Sequence, residues 1–267
     1  MYKDIFAKIE ASTGGPIGQY REMVEGYFTF PKLEGELGPH MRFNGEDVLV
    51  WSLNNYMGLA NHPAVRKADA EAAAKWGMAY PMGSRMLTGH TALHEELERR
   101  LAAFEKKEAA FEFNFGYQGI VSCIDSLVSR HDVIVYDAEA HACLLDGIRL
   151  HVGSKYKFKH NDMESLDQKL QLCDPDKIKL IVVDGVFSME GDITKLPEIV
   201  ALSKKYNASI YVDEAHSLGV FGKQGRGICD HFGLTTDIDL IMGTFSKSLA
   251  SIGGFIEIGR ASCRERV

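Results

Sequence analysis

Short apolar runs alternate with helical stretches through most of the chain. Five apolar runs, each bounded by polar or glycine-containing turns, fall at 109–113, 132–136, 179–184, 208–212 and 240–242. Helical patterns cover 116–128 and 197–206, and a further one begins after His141. Buried strands separated by helices are typical of a parallel sheet that is covered on both faces. The pattern therefore predicts an α/β fold with a mostly parallel central sheet.

The first hundred residues carry a different pattern. Glycine and proline interrupt residues 1–50 repeatedly. This pattern predicts an N-terminal arm with a brief strand at 27–30. A stronger strand pattern covers 48–53, and an alanine-rich helix is predicted at 64–76 because proline precedes it and glycine follows it. A second helix is predicted at 90–107, where leucines recur at helical spacing above a charged face.

The composition narrows the class of protein. Of the 267 residues, 45% are hydrophobic and 25% charged, which is ordinary for a soluble globular protein. The net charge of −7 argues against nucleic acid as the main partner, because no basic run is dense enough to neutralise phosphates. No apolar run approaches the roughly 20 residues that span a bilayer. We therefore expect no transmembrane segment and a cytoplasmic location.

The cysteines indicate neither a disulfide framework nor a metal site. They are scattered, odd in number and without a Cys-x-x-Cys pair: Cys123, Cys143, Cys173, Cys229 and Cys263. This spacing favours reduced thiols and predicts no bound metal. Lys155, Lys157 and Lys159 alternate with aromatic residues, which predicts the solvated face of a strand rather than a nucleic-acid surface.

The segment 237–254 places one lysine in a loop of small and hydroxyl-bearing residues. The apolar run 240–242 stops at Gly243, and Lys247 follows between two serines. Such small neighbours neither shield nor pair its charge. The lysine is therefore either solvated at a turn or held as an amine nucleophile that forms a Schiff base, as in enzymes that use pyridoxal phosphate (PLP).

A PLP site requires further groups, and the chain offers a candidate for each. An acid must keep the pyridine nitrogen protonated; Asp213 is the candidate, although it could equally cap the following turn. A planar group should stack on the ring; His141 is the candidate, although it could be a satisfied core histidine. Ser188 and His216 could hydrogen-bond the ring oxygen or a substrate carboxylate, or serve only in turns and caps.

The phosphate of PLP requires backbone N–H groups at the start of a helix, and hydroxyls. Gly116 and Tyr117 open the helix that follows the run 109–113, and Thr244 and Ser246 bring hydroxyls. All of these polar groups follow predicted strands. Because ligands bind at the carboxyl ends of parallel strands, we expect the groups to share one site.

Jointly, these residues resemble a known family. Four blocks carry the resemblance: Asn54-Asn-Tyr-Met-Gly-Leu59, Asp184-Gly-Val-Phe-Ser-Met-Glu-Gly-Asp192, Asp213-Glu-Ala-His-Ser-Leu-Gly-Val220 and Gly243-Thr-Phe-Ser-Lys-Ser-Leu-Ala-Ser-Ile-Gly-Gly254. The order and the residues of these blocks resemble those of the α-oxoamine synthase family of fold-type I PLP enzymes. They are nearest to its bacterial serine palmitoyltransferase branch. The resemblance covers about residues 48–255 and implies the large PLP-binding domain of that fold.

The resemblance implies roles for particular residues. Lys247 would carry PLP and move protons at the substrate Cα, Asp213 would pair with the pyridine nitrogen, and His141 would stack on the ring. The other implied cofactor contacts are Ser188 and His216 on the ring-oxygen side, and Thr244, Gly116 and Tyr117 at the phosphate. Asn54, Ser84 and Arg85 would lie near the substrate. The family works as a homodimer with shared sites, so a second copy is an expected partner.

The reaction implied is the decarboxylative condensation of an amino acid with an acyl-CoA. The serine palmitoyltransferase branch favours L-serine and a product such as 3-ketosphinganine. Siblings that use glycine or alanine remain as alternatives: 2-amino-3-ketobutyrate CoA ligase, 8-amino-7-oxononanoate synthase and 5-aminolevulinate synthase. A further alternative is an inactive fragment or a non-catalytic partner.

The chain also departs from the family pattern. Ile120 stands where the family usually has asparagine, and Glu214 stands where aspartate is common. Family members continue into a small C-terminal domain, which is missing here, and residues 257–267 match nothing expected. The expected organisation is therefore an arm at 1–50, an incomplete PLP-binding domain at 51–256 and an artefactual tail at 257–267, with little or no turnover by this chain alone.

Overall fold

A computed structural model describes residues 2–11, 31–78 and 80–259 of the chain. The chain divides into two units, Met1–Leu53 and Asn54–Val267. The first boundary lies three residues beyond the predicted arm. The brief strand predicted at 27–30 lies outside the described residues.

The described part of the first unit contains one short helix and a small antiparallel sheet. Its elements are α1 (Ile5–Glu10), β1 (Leu33–Glu34), β2 (His40–Phe43) and β3 (Glu46–Leu49). A two-residue Asn44-Gly45 turn joins β2 to β3, and both residues have positive φ, as this tight hairpin requires. The strand predicted at 48–53 is in fact β3. It ends at Leu49, because Leu49 pairs with His40, the first residue of its partner strand.

The second unit is built around a seven-stranded sheet. Its helices are α2 (Pro63–Trp76), α3 (Ala92–Glu105), α4 (Gly116–Leu127), α5 (Ala142–Leu150), α6 (Met163–Gln171), α7 (Leu196–Tyr206) and α8 (Ile228–His231). Its strands are β4 (Ala109–Phe113), β5 (Val133–Asp137), β6 (Ser154–Phe158), β7 (Lys179–Asp184), β8 (Ser209–Asp213), β9 (Leu240–Thr244) and β10 (Gly254–Ile258). The strand order is β4-β10-β9-β8-β7-β5-β6.

Most of the sheet is parallel, which confirms the predicted fold class. The pairs β9–β8, β8–β7, β7–β5 and β5–β6 are all parallel. Only β10 runs the other way, between β4 and β9. The carboxyl ends of β5, β7, β8 and β9 therefore meet at one edge of the sheet, as ligand sites in open α/β sheets require.

Helices cover both faces of the sheet, because alternate strand residues point to opposite sides. On one face, Ile134 and Val182 belong to a core that includes Ile124 of α4 and Leu144 of α5. On the other face the core is formed with α6, α7 and α8, through Leu166, Leu170, Ile199, Val200, Ile228 and their neighbours. The central strands are buried on both sides, which explains their unbroken apolar sequence.

The lysine-rich run lies on the edge strand β6, where Lys155 and Lys157 are exposed. This confirms the predicted solvated strand face. The Lys155 ammonium donates to the carbonyls of Ile148 and His151, at 3.1 and 3.0 Å, close to where α5 ends. A cation at that position offsets the negative end of the helix dipole.

Among the helices and strands named above, six were not predicted: α1, β1 and β2 in the first unit, and α6, α8 and β10 in the second. β10 continues through Glu257 and Ile258, both buried, so the sheet extends two residues into the segment assigned to a tail. Residues 260–267 lie outside the described part of the chain. The four cysteines that the structure describes are buried free thiols.

Candidate active site

A cavity of about 170 Å³ opens at the carboxyl edge of the sheet. Residues from five separate segments of the chain line it, among them Gly116, His141, Asp184, Asp213, Thr244 and Lys247. Gly116 begins α4, His141 precedes α5, and the others end a strand or follow one. The structure thus brings together residues that lie up to 131 positions apart in the sequence.

Lys247 directs its amine toward His216. The Nζ atom lies 2.7 Å from His216 Nε2. Burial lowers the pKa of Lys247, and the carboxylates of Asp213 and Asp184 only partly oppose this. Burial and the positive charge of Lys247 also lower the pKa of His216, to about 4. At neutral pH the histidine is therefore neutral, and the amine releases its proton more readily than an exposed lysine would.

Asp213 and Asp184 form the acidic floor of the cavity. Both are buried, at 3% and 2% exposure, and they are register partners at the ends of β8 and β7. Burial raises the pKa of Asp213, against the opposing effects of the Ala215 N–H and of Lys247. The pKa of Asp184 is raised further, by burial and by the adjacent charge of Asp213. The ionised form is thus easier to keep on Asp213.

His141 lines the cavity and also caps α5. Its Nδ1 accepts the backbone N–H of Cys143 at 3.3 Å and lies 2.7 Å from the Cys143 sulfur. Burial raises the pKa of Cys143, so its thiol keeps a hydrogen that it can donate. Two donors at Nδ1 leave the hydrogen of a neutral ring on Nε2. The backbone N–H of His141 is held by Asp184 Oδ2, at 3.1 Å.

The start of α4 supplies anion-binding N–H donors beside two hydroxyls, of which that of Thr244 donates to the Gly253 carbonyl at 2.9 Å. Helix α4 spans 12 residues, and its first N–H groups lie at the cavity beside Thr244 and Ser246, whose hydroxyls are 2.8 Å apart. Gly116 cannot be replaced easily here, because a Cβ would lie 3.0 Å from Thr244 Oγ1. A helix N-terminus with adjacent hydroxyls fits the phosphate of PLP.

The remaining predicted residues lie at or outside the rim. Tyr117 lines the cavity but is half-exposed, and its hydroxyl donates to Asp146 at 3.0 Å. Ser188 lies in an exposed turn and is not part of the lining. Asn54 does not line the cavity either, but it accepts a hydrogen bond from Tyr56, which contacts His216.

Arg85 and Ser84 do not line the cavity. Arg85 pairs with the buried Glu98 at 2.8 Å, donates to the Glu112 carbonyl at 2.8 Å, and stacks on the Phe111 ring. Ser84 is exposed, and its carbonyl accepts the N–H of Gly89. Arg85 therefore holds the loop before α3 to β4, whereas Ser84 closes a turn within that loop.

Sequence analysis left three residues near the site without a role: Asp184, Cys143 and Tyr56. Asp184 ends a strand just as Asp213 does, and that shared position was the available signal. Tyr56 belongs to the family-like block 54–59, but its contact with His216 spans 160 positions and has no local sequence signature. Cys143 was considered only as a thiol, although it lies two residues after His141.

The described part of the chain offers neither a metal site nor a membrane-spanning helix. Across residues 2–11, 31–78 and 80–259, no three histidine, cysteine or acidic side chains lie close enough to hold a metal ion. No helix among these residues has the length and apolar character needed to cross a bilayer.

Comparison with known proteins identifies the family of this chain. A family model described as aminotransferase class I and II matches residues 46–265. The chain belongs to this family. The matched range includes every residue that lines the cavity.

Proteins similar to this chain include fatty-acyl and palmitoyl transferases. A cysteate-C-fatty acyltransferase of Capnocytophaga ochracea is 54% identical over 259 residues, which are 95% of this chain and 61% of the relative. A serine palmitoyltransferase of Bacteroides thetaiotaomicron is 52% identical over 88% of this chain and 59% of the relative. A solved serine palmitoyltransferase from S. paucimobilis with bound PLP superimposes with a TM-score of 0.88 at 35% identity, covering 97% of this chain and 65% of that one. The chain thus spans about three fifths of the length of these relatives.

Proposed function

We propose that the chain is the cofactor-binding part of a PLP-dependent acyltransferase. In the proposed reaction an amino acid, L-serine in the first instance, condenses with an acyl-CoA. The bond from Cα to the carboxylate breaks and releases CO₂, a bond from Cα to the acyl carbon forms, and CoA leaves as the thiol. The observation that carries the proposal is the convergence of Lys247, Asp213 and His141 on one cavity beside the start of α4.

The residues present fit PLP. Lys247 would bind the cofactor, Asp213 would hold the pyridine nitrogen, and His141 would cover the ring. Thr244 and the first N–H groups of α4 would bind the phosphate. When bound, PLP supplies a ring that accepts the electron pair left at the substrate Cα. Asp213 suits its role because it is buried, and because Lys247 favours its ionised form.

The chain's own side chains supply the proton chemistry. The lowered pKa of Lys247 suits a group that takes and returns a proton at Cα near neutral pH. His216 stays neutral, because its pKa is about 4, and so can hold the Lys247 amine without competing for its proton. The Nε2–H of His141 is available to a substrate carboxylate, since Nδ1 is already engaged by Cys143.

The proposed assembly is a homodimer. The loop after α2 carries four apolar side chains that are at least 85% exposed: Met78, Met82, Met86 and Leu87. Clustered exposed apolar residues are typical of a protein interface. Sedimentation should therefore show a dimer, and replacing Met86 with glutamate should weaken it. A monomeric wild-type chain at micromolar concentration would argue against this assembly.

Two amino acids are the leading substrates. L-serine follows from the resemblance, and cysteate is the second candidate because a cysteate-C-fatty acyltransferase is 54% identical over 95% of the chain. The two differ only at Cβ, which carries a hydroxyl in one and a sulfonate in the other. The part of the site that contacts Cβ therefore decides between them.

The test is a visible absorbance titration of the chain with PLP, repeated on Lys247→Ala. A band that requires Lys247 would support the cofactor site. Adding L-serine, cysteate, glycine and L-alanine separately should then change the band mainly with the true substrate. Release of CoA from an acyl-CoA, measured with each amino acid, tests the transfer step. A folded chain that gives no lysine-dependent band would refute the proposal for this chain.

A further inference from the structure

Four side chains form a continuous line of hydrogen bonds that ends at Lys247. Asn54 Oδ1 lies 2.9 Å from the Tyr56 hydroxyl, which lies 2.7 Å from His216 Nδ1. His216 Nε2 in turn lies 2.7 Å from Lys247 Nζ. Each atom in the line has a limited capacity to donate or accept, so the position of every hydrogen can be worked out.

The direction of the line is set at Asn54. A carbonyl oxygen only accepts, so the single hydrogen of the Tyr56 hydroxyl points to Asn54. The hydroxyl oxygen then has only an acceptor role left for His216, and Nδ1 must carry the hydrogen. Because His216 is neutral, its Nε2 has no hydrogen and accepts from the Lys247 amine.

We propose that Asn54 and Tyr56 are positioning residues that fix His216 in its Nδ1–H form and thereby aim the Lys247 amine into the cavity. This inference rests on the proposed cofactor role of Lys247. With one N–H held by His216, the lone pair of a neutral amine is left to attack the aldehyde carbon of an arriving cofactor. The new carbon–nitrogen bond forms, and the aldehyde oxygen leaves as water.

Removing the Tyr56 hydroxyl should release this control. In Tyr56→Phe, Nδ1 loses its acceptor, and the ring is free to carry its hydrogen on Nε2 instead. A hydrogen on Nε2 would be donated to the lone pair of the neutral Lys247 amine. The lone pair would then no longer be free to attack, and capture of the aldehyde would slow.

The direct test is the tautomer of His216, read by ¹⁵N NMR of histidine-labelled, cofactor-free chain at pH 8. His216→Gln identifies the signal. We expect the Nδ1–H form in the wild type, a mixture or the Nε2–H form in Tyr56→Phe, and the Nδ1–H form in Asn54→Asp, since a carboxylate also only accepts. An Nε2–H form in the wild type, or a reversal in Asn54→Asp, would show that the line runs the other way and overturn the proposal.

A second test measures the rate at which cofactor-free chain captures PLP, from the growth of the lysine-dependent absorbance. Loss of one hydrogen bond should slow Tyr56→Phe by roughly tenfold. The matched control is Tyr206→Phe, which removes a hydroxyl bonded to Asp167 on α6, far from the cavity, and should capture at the wild-type rate. A wild-type rate in folded Tyr56→Phe would contradict the proposal. Failure of the proposed function would instead remove capture from every variant and leave the tautomer result standing.

Discussion

Asp184 and Asp213 are register partners on neighbouring parallel strands, and both reach the same cavity. The two carboxyl groups have different hydrogen-bond partners and different charges. Asp184 accepts the backbone N–H of His141, whereas Asp213 accepts that of Ala215 and is favoured as an anion by Lys247. Two buried acids this close do not both ionise easily, so a raised pKa on Asp184 leaves the charge on Asp213.

This division predicts different effects for two isosteric changes. Asp213→Asn removes the charged partner of the pyridine nitrogen, and a hydrogen bond to a charged group contributes about 1.5–3 kcal/mol. We expect PLP affinity to fall roughly 10- to 100-fold. Asp184→Asn keeps an oxygen for the His141 N–H and should change the affinity several-fold at most. PLP titration of both variants measures this, and equal losses would contradict the assigned roles.

Arg85 offers a test of a residue whose implied role and observed contacts differ. It pairs with Glu98, which is 3% exposed, so Arg85→Ala should break an ion pair of a buried carboxylate. We expect the free energy of unfolding to fall by about 3 kcal/mol, the lower end for a broken buried pair, because Glu98 keeps the N–H of Glu112. Urea unfolding measures it.

The double variant Arg85→Ala, Glu98→Ala separates the two interpretations of Arg85. If the pair is structural, removing both partners should recover much of the lost stability, and PLP affinity should stay near the wild-type value. An unchanged stability in Arg85→Ala, together with a raised KM for the amino acid, would instead favour a substrate contact.

The fold and the centre of the site could be predicted because their signals are local. Apolar runs between helices give the sheet, and each polar residue after a run marks the same edge. Arg85 and Tyr56 show why the rest could not be predicted. Their partners, Glu98 and His216, are set by how α3 and the loop after β8 pack, and no sequence period records that packing.

Strand β10 was not predicted, for a different physical reason. It contains Glu257, a fully buried glutamate, which breaks the apolar pattern that marks an inner strand. Glu257 and the equally buried Glu105 have no hydrogen-bond partner for their carboxyl oxygens among the described residues. Burying such a carboxyl group costs free energy, so hydrophobicity patterns do not predict a glutamate inside a buried strand.

These two glutamates predict an alkaline loss of stability. Burial raises the pKa of Glu105 to about 8 and that of Glu257 to about 10, from 4.5. The folded state thus holds protons that the unfolded chain releases, so this stabilisation is complete below pH 4.5 and is lost as pH rises toward 8 and 10. Glu257→Gln should remove its share and raise the unfolding free energy at pH 9 by about 1–3 kcal/mol.

The control for this change is Glu190→Gln, which alters an exposed glutamate in a turn. Urea unfolding of both variants at pH 5 and pH 9 gives the comparison. Glu257→Gln should gain on the wild type only at the higher pH, and Glu190→Gln at neither. A gain of equal size at both pH values would point to packing rather than ionisation.

His160 lies between Asp137 and Asp192, at 2.9 and 3.1 Å, and Asp137 also holds the N–H of Glu139 in the loop that leads to His141. Burial lowers the pKa of His160, but the two carboxylates outweigh this and raise it above 6.5. Its contribution to stability is therefore complete below pH 6.5 and is lost as pH rises through the raised pKa. We expect His160→Gln to lose about 1 kcal/mol of unfolding free energy at pH 6 and less at pH 9, as measured by urea unfolding. The loss is small because the site is partly exposed.

The control is His131→Gln, which changes an exposed histidine and should show no such pH-dependent loss. A loss of equal size at both pH values would mean that the ion pairs with Asp137 and Asp192 contribute nothing.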